Sequence, residues 1–293
     1  MIKVAIIRQI DADSIQDLID LAADQGVHID VLAYTKADIS SPIDLTAQNR
    51  FEDYDVIHYY SGGNRAVGMT IRNHLLGSKV ALINMAVEHF AFGDDKAMQI
   101  SRLASEVLVP QTLAASRRDT YSSVADILGT TFIMKVTIGS KGGGVFLINS
   151  EETFKEAHEA LRYSGFSIYQ EYIPNDGDYR VHVIGHKAVF AYKRIPAAGD
   201  FRANVSRGGS MEKIIDQKLL TELNEMAEKA VSLSSLDVAG IDIVKSTSTG
   251  KLYFIEHNKN PGVKGVKDLL GVNNDQLLLD YYIERSNTKS VVV

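Results

Sequence analysis

From residue 1 to about 90, short apolar runs (KVAII, IDVLAY, DVIHYY and KVALIN) alternate with helix-like stretches such as SIQDLIDLAADQG and AVGMTIRNHLLG. Strands alternating with helices of this length predict a parallel sheet with crossover helices, because parallel neighbours need a long connection between them. The fold class is therefore α/β over this stretch. Ser61-Gly62-Gly63-Asn64 falls after a strand and before a helix, where open α/β sheets bind ligands, although Gly-Gly-Asn reads equally as a tight turn. Beyond residue 90 the pattern changes. Asp94 reads as the N-cap of a helix running to about Val107, and Pro110 stops it. TTFIMKVTIGSKGGGVFLI predicts two strands around a glycine-rich turn, followed by a helix near residues 151 to 164. The remainder is strand-rich to about residue 258, with helices expected near 215–234 and from Asp275 to Arg285. The last residues, SNTKSVVV, read as a loose tail or an added edge strand.

The 293 residues are enough for two or three compact units. Thirty-one basic residues against 37 acidic ones give a net charge of -6, which argues against a nucleic-acid partner and means that an anionic ligand must be met locally. With no cysteine, disulfides, thiolate metal sites and a cysteine nucleophile are excluded. No uncharged apolar run reaches about 18 residues, so no membrane span is expected. MIKVAIIRQI reads as a first strand rather than a signal peptide, and a cytoplasmic location is the expectation.

Three oxygen-bearing side chains stand on two short strands: Asp242 in GIDIV, and Glu256 and Asn258 in FIEHN, joined by KSTSTGK. Residues two apart on a strand share a face, so Glu256 and Asn258 do, and a turn near residue 248 would set Asp242 diagonally opposite Glu256. Two carboxylates and an amide suit a hard cation such as magnesium; the same acids also suit a solvated hairpin face. Lys135 interrupts the apolar strand FIMKV just before Gly139-Ser140-Lys141-Gly142-Gly143-Gly144. Its ammonium either meets an anion, a nucleotide phosphate being the candidate, or snorkels to solvent from an edge strand. The glycine loop could fold over phosphates but is not a Walker loop, since a strand follows it. Tyr169-Gln170-Glu171-Tyr172-Ile173-Pro174 runs as a strand into a proline-stopped turn, whose freed backbone groups around Glu171 and Tyr172 could read a purine edge, with Asp178 within reach of a ribose. Lys193, Arg194, Arg202 and Arg207, with Ala203 and Asn204 among them, form a basic patch or a solvated basic loop. His182 and His186 flank an Ile-Gly turn and read as structural. Asp242 and Glu256 could serve as a glycosidase acid pair, but that would leave Lys135 and the basic patch without a role.

The order of these parts matters: Lys96 on a helix, Lys135 on a strand, the glycine loop, QEYI, DYR, FRANVSRGG, GIDIV and FIEHNKNPG. It resembles the ATP-grasp superfamily, and FRANVSRGG with EHNKNPG resembles the RimK-type amino-acid ligases over roughly residues 90 to 270. The resemblance implies an N-terminal α/β domain over 1–90, a central lid over 91–166 and a C-terminal subdomain over 167–293, with ATP between the last two. It implies that Lys96, Lys135, Ser140, Gly142, Gly143, Glu171, Tyr172, Asp178, Lys193, Arg202, Ala203 and Asn204 bind ATP. Arg207 and Arg194 would be catalytic, and Asp242, Glu256 and Asn258 would bind two magnesium (or manganese) ions. The implied reaction joins a glutamate-like amino acid to a carboxylate of a protein, peptide or small molecule through an acylphosphate. A nucleotide-binding module or a phosphotransferase is the alternative, and a homo-oligomer is left open. The chain departs from the family pattern at Val136 (often proline), in SKGGG (more usually SQGxG) and at His257 (usually aliphatic).

Overall fold

A computed structural model of the chain describes residues 1–8, 15–33, 51–60, 65–139, 143–203, 208–288 and 292. The first unit is laid down by β1 (Ile2–Arg8), α1 (Gln16–Asp24), β2 (Val27–Ala33), β3 (Val56–Tyr59), α2 (Arg65–His74) and β4 (Ala81–Ile83). Its sheet is parallel in the order β2-β1-β3-β4. Both faces are covered, which is why β1 reads as an unbroken apolar run. Val4 and Ile6 pack with α1, while Ala5 and Ile7 pack with Ile71, Leu75 and Phe90 on the other side.

α3 (Val87–Phe92) and α4 (Lys96–Leu103) lead to β5 (Thr112–Ala114), α5 (Tyr121–Leu128), β6 (Phe132–Val136), β7 (Val145–Ile148), α6 (Glu151–Ala160) and β8 (Ser167–Glu171). α4 is capped by Asp95, not Asp94: the Asp95 carboxylate accepts from the backbone of Ala97 and Met98. The helix ends at Leu103, short of the expected Val107, and α6 likewise stops at Ala160 rather than 164. The second sheet is antiparallel, β5-β8-β6-β7, over a core of Phe132, Met134, Phe154 and Tyr169.

The third sheet takes β9 (Asp178–Ile184), β10 (Lys187–Ile195), β11 (Ser210–Lys213), β12 (Val238–Lys245) and β13 (Leu252–Asn258), with α7 (Gln217–Ser234) between β11 and β12. Its order is β11-β10-β9-β12-β13, antiparallel throughout. Tyr179, Val181, Ala239, Ile241 and Ile243 face α7, whose Leu219, Leu223, Ala227 and Val231 complete that core. By strand alternation Asp178, Arg180 and Asp242 face the other way. The Gly185–His186 turn between β9 and β10, with both residues at positive φ, makes the expected hairpin.

The packing departs from three consecutive spans divided after residues 90 and 166. β8 lies past residue 166 yet pairs with β5 and β6, and Leu103 of α4 packs in the α7 core of the third sheet. After α8 (Val266–Leu270), the final helix α9 (Asn274–Asn287) buries Leu278, Leu279 and Tyr282 against Val4 and Ile6 of the first sheet. Near the end of the chain Val292 exchanges backbone hydrogen bonds with Gly77 and Ser78. No helix among the described residues is long and apolar enough to cross a membrane.

Candidate active site

A cleft between the second and third sheets gathers most of the residues singled out from the sequence. Lys96, Lys135, Gly143, Glu171, Tyr172, Asp178, Arg194, Arg202, Ala203, Asp242 and Glu256 all line it. It encloses about 990 Å³ of empty space including its open mouth. Ser140, Gly142, Asn204 and Arg207, like the Ser61–Asn64 loop, lie outside the described residues. Lys193 does not line the cleft: alternation along β10 sends Arg194 toward it and Lys193 to the opposite face, where its Nζ is 2.7 Å from Asp176.

The metal-type trio depends on an irregularity that the sequence did not reveal. Phe254 faces the α7 core, so in a regular strand Glu256 and Asn258 would face it too. The register shifts between Ile243↔Phe254 and Asp242↔Glu256, inserting one extra residue, and this bulge turns Glu256 and Asn258 to the cleft side. Asp242 is then directly opposite Glu256 rather than diagonal to it. Asn258 Nδ2 donates to Glu256 Oε1 at 3.2 Å, and Lys96 Nζ stands 3.4 Å from Oε2. His257 points the other way, toward Phe254 and His89.

Asp242 is held by the fork of Arg180, through Nε and through Nη2 at 2.9 Å, and by Arg194 Nη2 at 2.9 Å. Burial alone would raise its pKa, but the two guanidinium groups outweigh burial and hold it below the usual carboxylate range. Arg194 also grips Asp178, at 2.5 and 2.6 Å; burial opposes its charge, and Asp242 and Asp178 more than offset that. Lys135 lies on β6 between β7 and β8, so it is not on an edge and does not snorkel to solvent. Its ammonium donates to Gln170 Oε1 at 2.8 Å, and burial lowers its pKa to about 8, with Glu256 opposing the shift and Lys96 adding to it.

Beside the charged groups, Ile133, Val136, Val145, Ile173, Phe201, Val244 and Ile255 give the cleft an apolar wall. The chain leaves the second sheet after Glu171 and enters the third at Asp178, so the segment 172–177 hinges the two sheets at this wall. The sequence reading missed Gln170, which lines the cleft, and Arg180, which holds Asp242 from behind it; Gln99 braces the outer edge of β13, its carboxamide accepting from His257 N–H at 3.1 Å.

The donor chemistry fits magnesium. Two carboxylates and a carboxamide offer hard oxygen ligands, and the N–H groups now on Glu256 and Asp242 occupy places a cation would take. No group of three or more His, Cys, Asp or Glu among the described residues could hold a metal alone. Magnesium, which keeps phosphate and water oxygens in its shell, matches a site with so few acids.

Residues 93–282 match the RimK-like ATP-grasp domain. The chain belongs to the RimK-like ATP-grasp family. A "Probable alpha-L-glutamate ligase" of Mannheimia succiniciproducens is 30% identical over 237 residues, covering 78% of this chain and 76% of that protein. Among solved structures, the ATP-grasp ligase PsnB complexed with minimal precursor, Mg and ADP superposes with a TM-score of 0.72 at 16% identity, covering 97% of both chains. D-alanine–D-alanine ligase from Bacillus anthracis complexed with ATP gives 0.70 at 17% identity, covering 98% of both. The fold is therefore ATP-grasp and the chain is an ATP-dependent carbon–nitrogen ligase, so the cleft between the second and third sheets is its candidate active site.

Proposed function

We propose that this RimK-like ligase joins a glutamate-like amino acid to a carboxylate of a protein, peptide or small-molecule acceptor. The observation that carries this reading is the convergence, in one cleft, of four cations (Lys96, Lys135, Arg194 and Arg202) with Asp242 and Glu256, next to an apolar wall. Adenine lies against that wall, with the backbone around Glu171 and Tyr172 reading its edge and Asp178 at the ribose end. Lys96 and Lys135 hold phosphate oxygens, and Arg194 and Arg202 meet charge that develops during transfer. The γ-phosphoryl group passes to an acceptor carboxylate oxygen, ADP leaves, and the acylphosphate forms. The amine then attacks the acyl carbon; the C–O bond to phosphate breaks, inorganic phosphate departs and the amine loses a proton. Magnesium held by Asp242, Glu256 and Asn258 would offset phosphate charge. The β6–β7 hairpin with its glycine loop serves as the lid that keeps water from the acylphosphate. Arg207, Asn204, Ser140 and Gly142 join the site on the family's pattern. The relatives described as probable alpha-L-glutamate ligases support glutamate as the amino acid that is joined.

The test is ADP release by the full chain with ATP, magnesium and a panel of amino acids, singly and with candidate acceptors, read beside mass spectrometry of the products. The reading expects release stimulated by glutamate or a close analogue and a product mass equal to the two substrates less one water. Tight ATP binding without stimulated turnover, or a stable phosphorylated product with no amide, would contradict it.

A further inference from the structure

Both oxygens of Asp242 are held by arginine, and the two arginines differ in kind. Arg194 lines the cleft and shares its guanidinium with Asp178. Arg180 does not line the cleft; it is 7% exposed and sits behind Asp242 with its fork on both carboxylate oxygens. The sequence builds this seat. Arg180 and Asp242 are register partners on β9 and β12, and Gly240 leaves the room along which the arginine lies. A Cβ at Gly240 would stand 2.9 Å from Arg180 Cδ and 3.2 Å from its Nη1.

We propose that Arg180 is a positioning residue, the resident counter-cation of Asp242, and that it makes metal capture depend on nucleotide. This rests on the magnesium–ATP reading above. With the Arg180 fork on both oxygens and Arg194 on Oδ2, a divalent ion arriving alone must displace an N–H donor and approach two guanidinium charges of which Asp178 offsets only part, and it is held off. A triphosphate reverses the balance. Arg194, which faces the cleft, turns to phosphate and frees a lone pair on Asp242 Oδ2, while the Arg180 fork keeps the carboxylate plane fixed. The metal therefore enters with the nucleotide, and a metal-loaded, nucleotide-free enzyme does not accumulate.

Manganese binding to the full chain, followed by the electron paramagnetic resonance of the free ion, tests this without turnover. Wild type is expected to bind no Mn²⁺ without nucleotide up to about 1 mM, and to form a ternary complex when a non-hydrolysable ATP analogue is added. Folded Arg180→Met should bind Mn²⁺ without nucleotide at least about tenfold more tightly than wild type, a gain that a merely structural defect would not produce. Arg180→Gln, which removes the charge but keeps an N–H donor, is the second variant, and the wild-type measurement stands if neither folds. Sub-millimolar Mn²⁺ binding by wild type alone, or a folded variant as silent as wild type, overturns the proposal and leaves the ligase reading intact. Absence of any ternary complex in wild type overturns the magnesium–ATP reading and this proposal with it.

Discussion

Two buried polar clusters, one at the first sheet and one in the third, use similar ingredients for different ends. At the first, Asn84 accepts from the backbone of Asp237 and Val238 through Oδ1 and donates to Val238 O through Nδ2. Its own N–H meets the Asp237 carboxylate, and His58 pairs with Tyr282 at 2.7 Å. At the second, Arg180, Arg194, Asp178 and Asp242 interlock, and three of the four open onto the cleft. The first joins the parallel sheet to β12 and α9 with mainly neutral groups, each satisfied. The second keeps full charges under low exposure, a desolvation cost that their pairing only partly offsets and that an apolar core would avoid. A buried charge that faces a cavity therefore marks function, and a buried, satisfied amide marks assembly.

The sharpest way to separate the clusters is to damage each and read both activity and stability. Glu256→Ala on the charged side should lower ADP release on the order of 10³-fold or more, by removing a magnesium ligand, while a partly exposed side chain lost there shifts the melting temperature by less than about 3 °C. Asn84→Ala should do the reverse. Losing its side-chain hydrogen bonds to the backbone of Asp237 and Val238, at a residue held at φ 56°, should cost about 3 kcal/mol in urea denaturation, and the KM for ATP of the remaining folded protein should stay within about twofold. Equal loss of activity in the two folded variants would erase the distinction.

Acid sharpens the contrast from the first cluster. Burial lowers the His58 pKa from 6.5 to about 3. The unfolded chain takes up this proton below about pH 6.5 and the folded chain only near 3, so the stability it contributes is complete above 6.5 and lost as pH falls toward 3. By pH 5 this single group should cost about 2 kcal/mol, and His58→Gln should flatten the stability–pH slope by one proton. Base probes the cleft onto which the second cluster opens. The Lys135 pKa of about 8 means that the free enzyme loses this charge above pH 8, so the amine must take a proton back when phosphate binds. The Kd for ATP should rise roughly tenfold between pH 7 and pH 9, and Lys135→Arg should remove that dependence.

The charged cluster was half legible. Lys135 declared itself as a charge inside an apolar strand, and Arg180 in DYRVHVI carries the same signal on the central strand β9, where it was passed over. The bulge before Glu256 was not legible, because Leu252, Phe254, Glu256 and Asn258 share one parity and only the partner strand reveals the slip. Lys193 misled because adjacency to Arg194 in sequence means opposite faces on a strand. The assembly cluster left no local trace: Asn84 meets residues about 150 positions away, and α9 packs on the first sheet at the other end of the chain. Periodicity gave the parallel sheet and the hairpins, since those depend on neighbours in sequence, whereas the layering of the units depends on contacts that no local pattern encodes.

The most direct test of the central claim is a crystal of the protein grown with a non-hydrolysable ATP analogue and manganese, with an anomalous difference map at the manganese edge. The account predicts the triphosphate against Lys96 and Lys135, the adenine at Tyr172, and a manganese peak about 2.2 Å from a carboxylate oxygen of Glu256. Nucleotide bound elsewhere, or nucleotide in the cleft with manganese away from both Glu256 and Asp242, would contradict it.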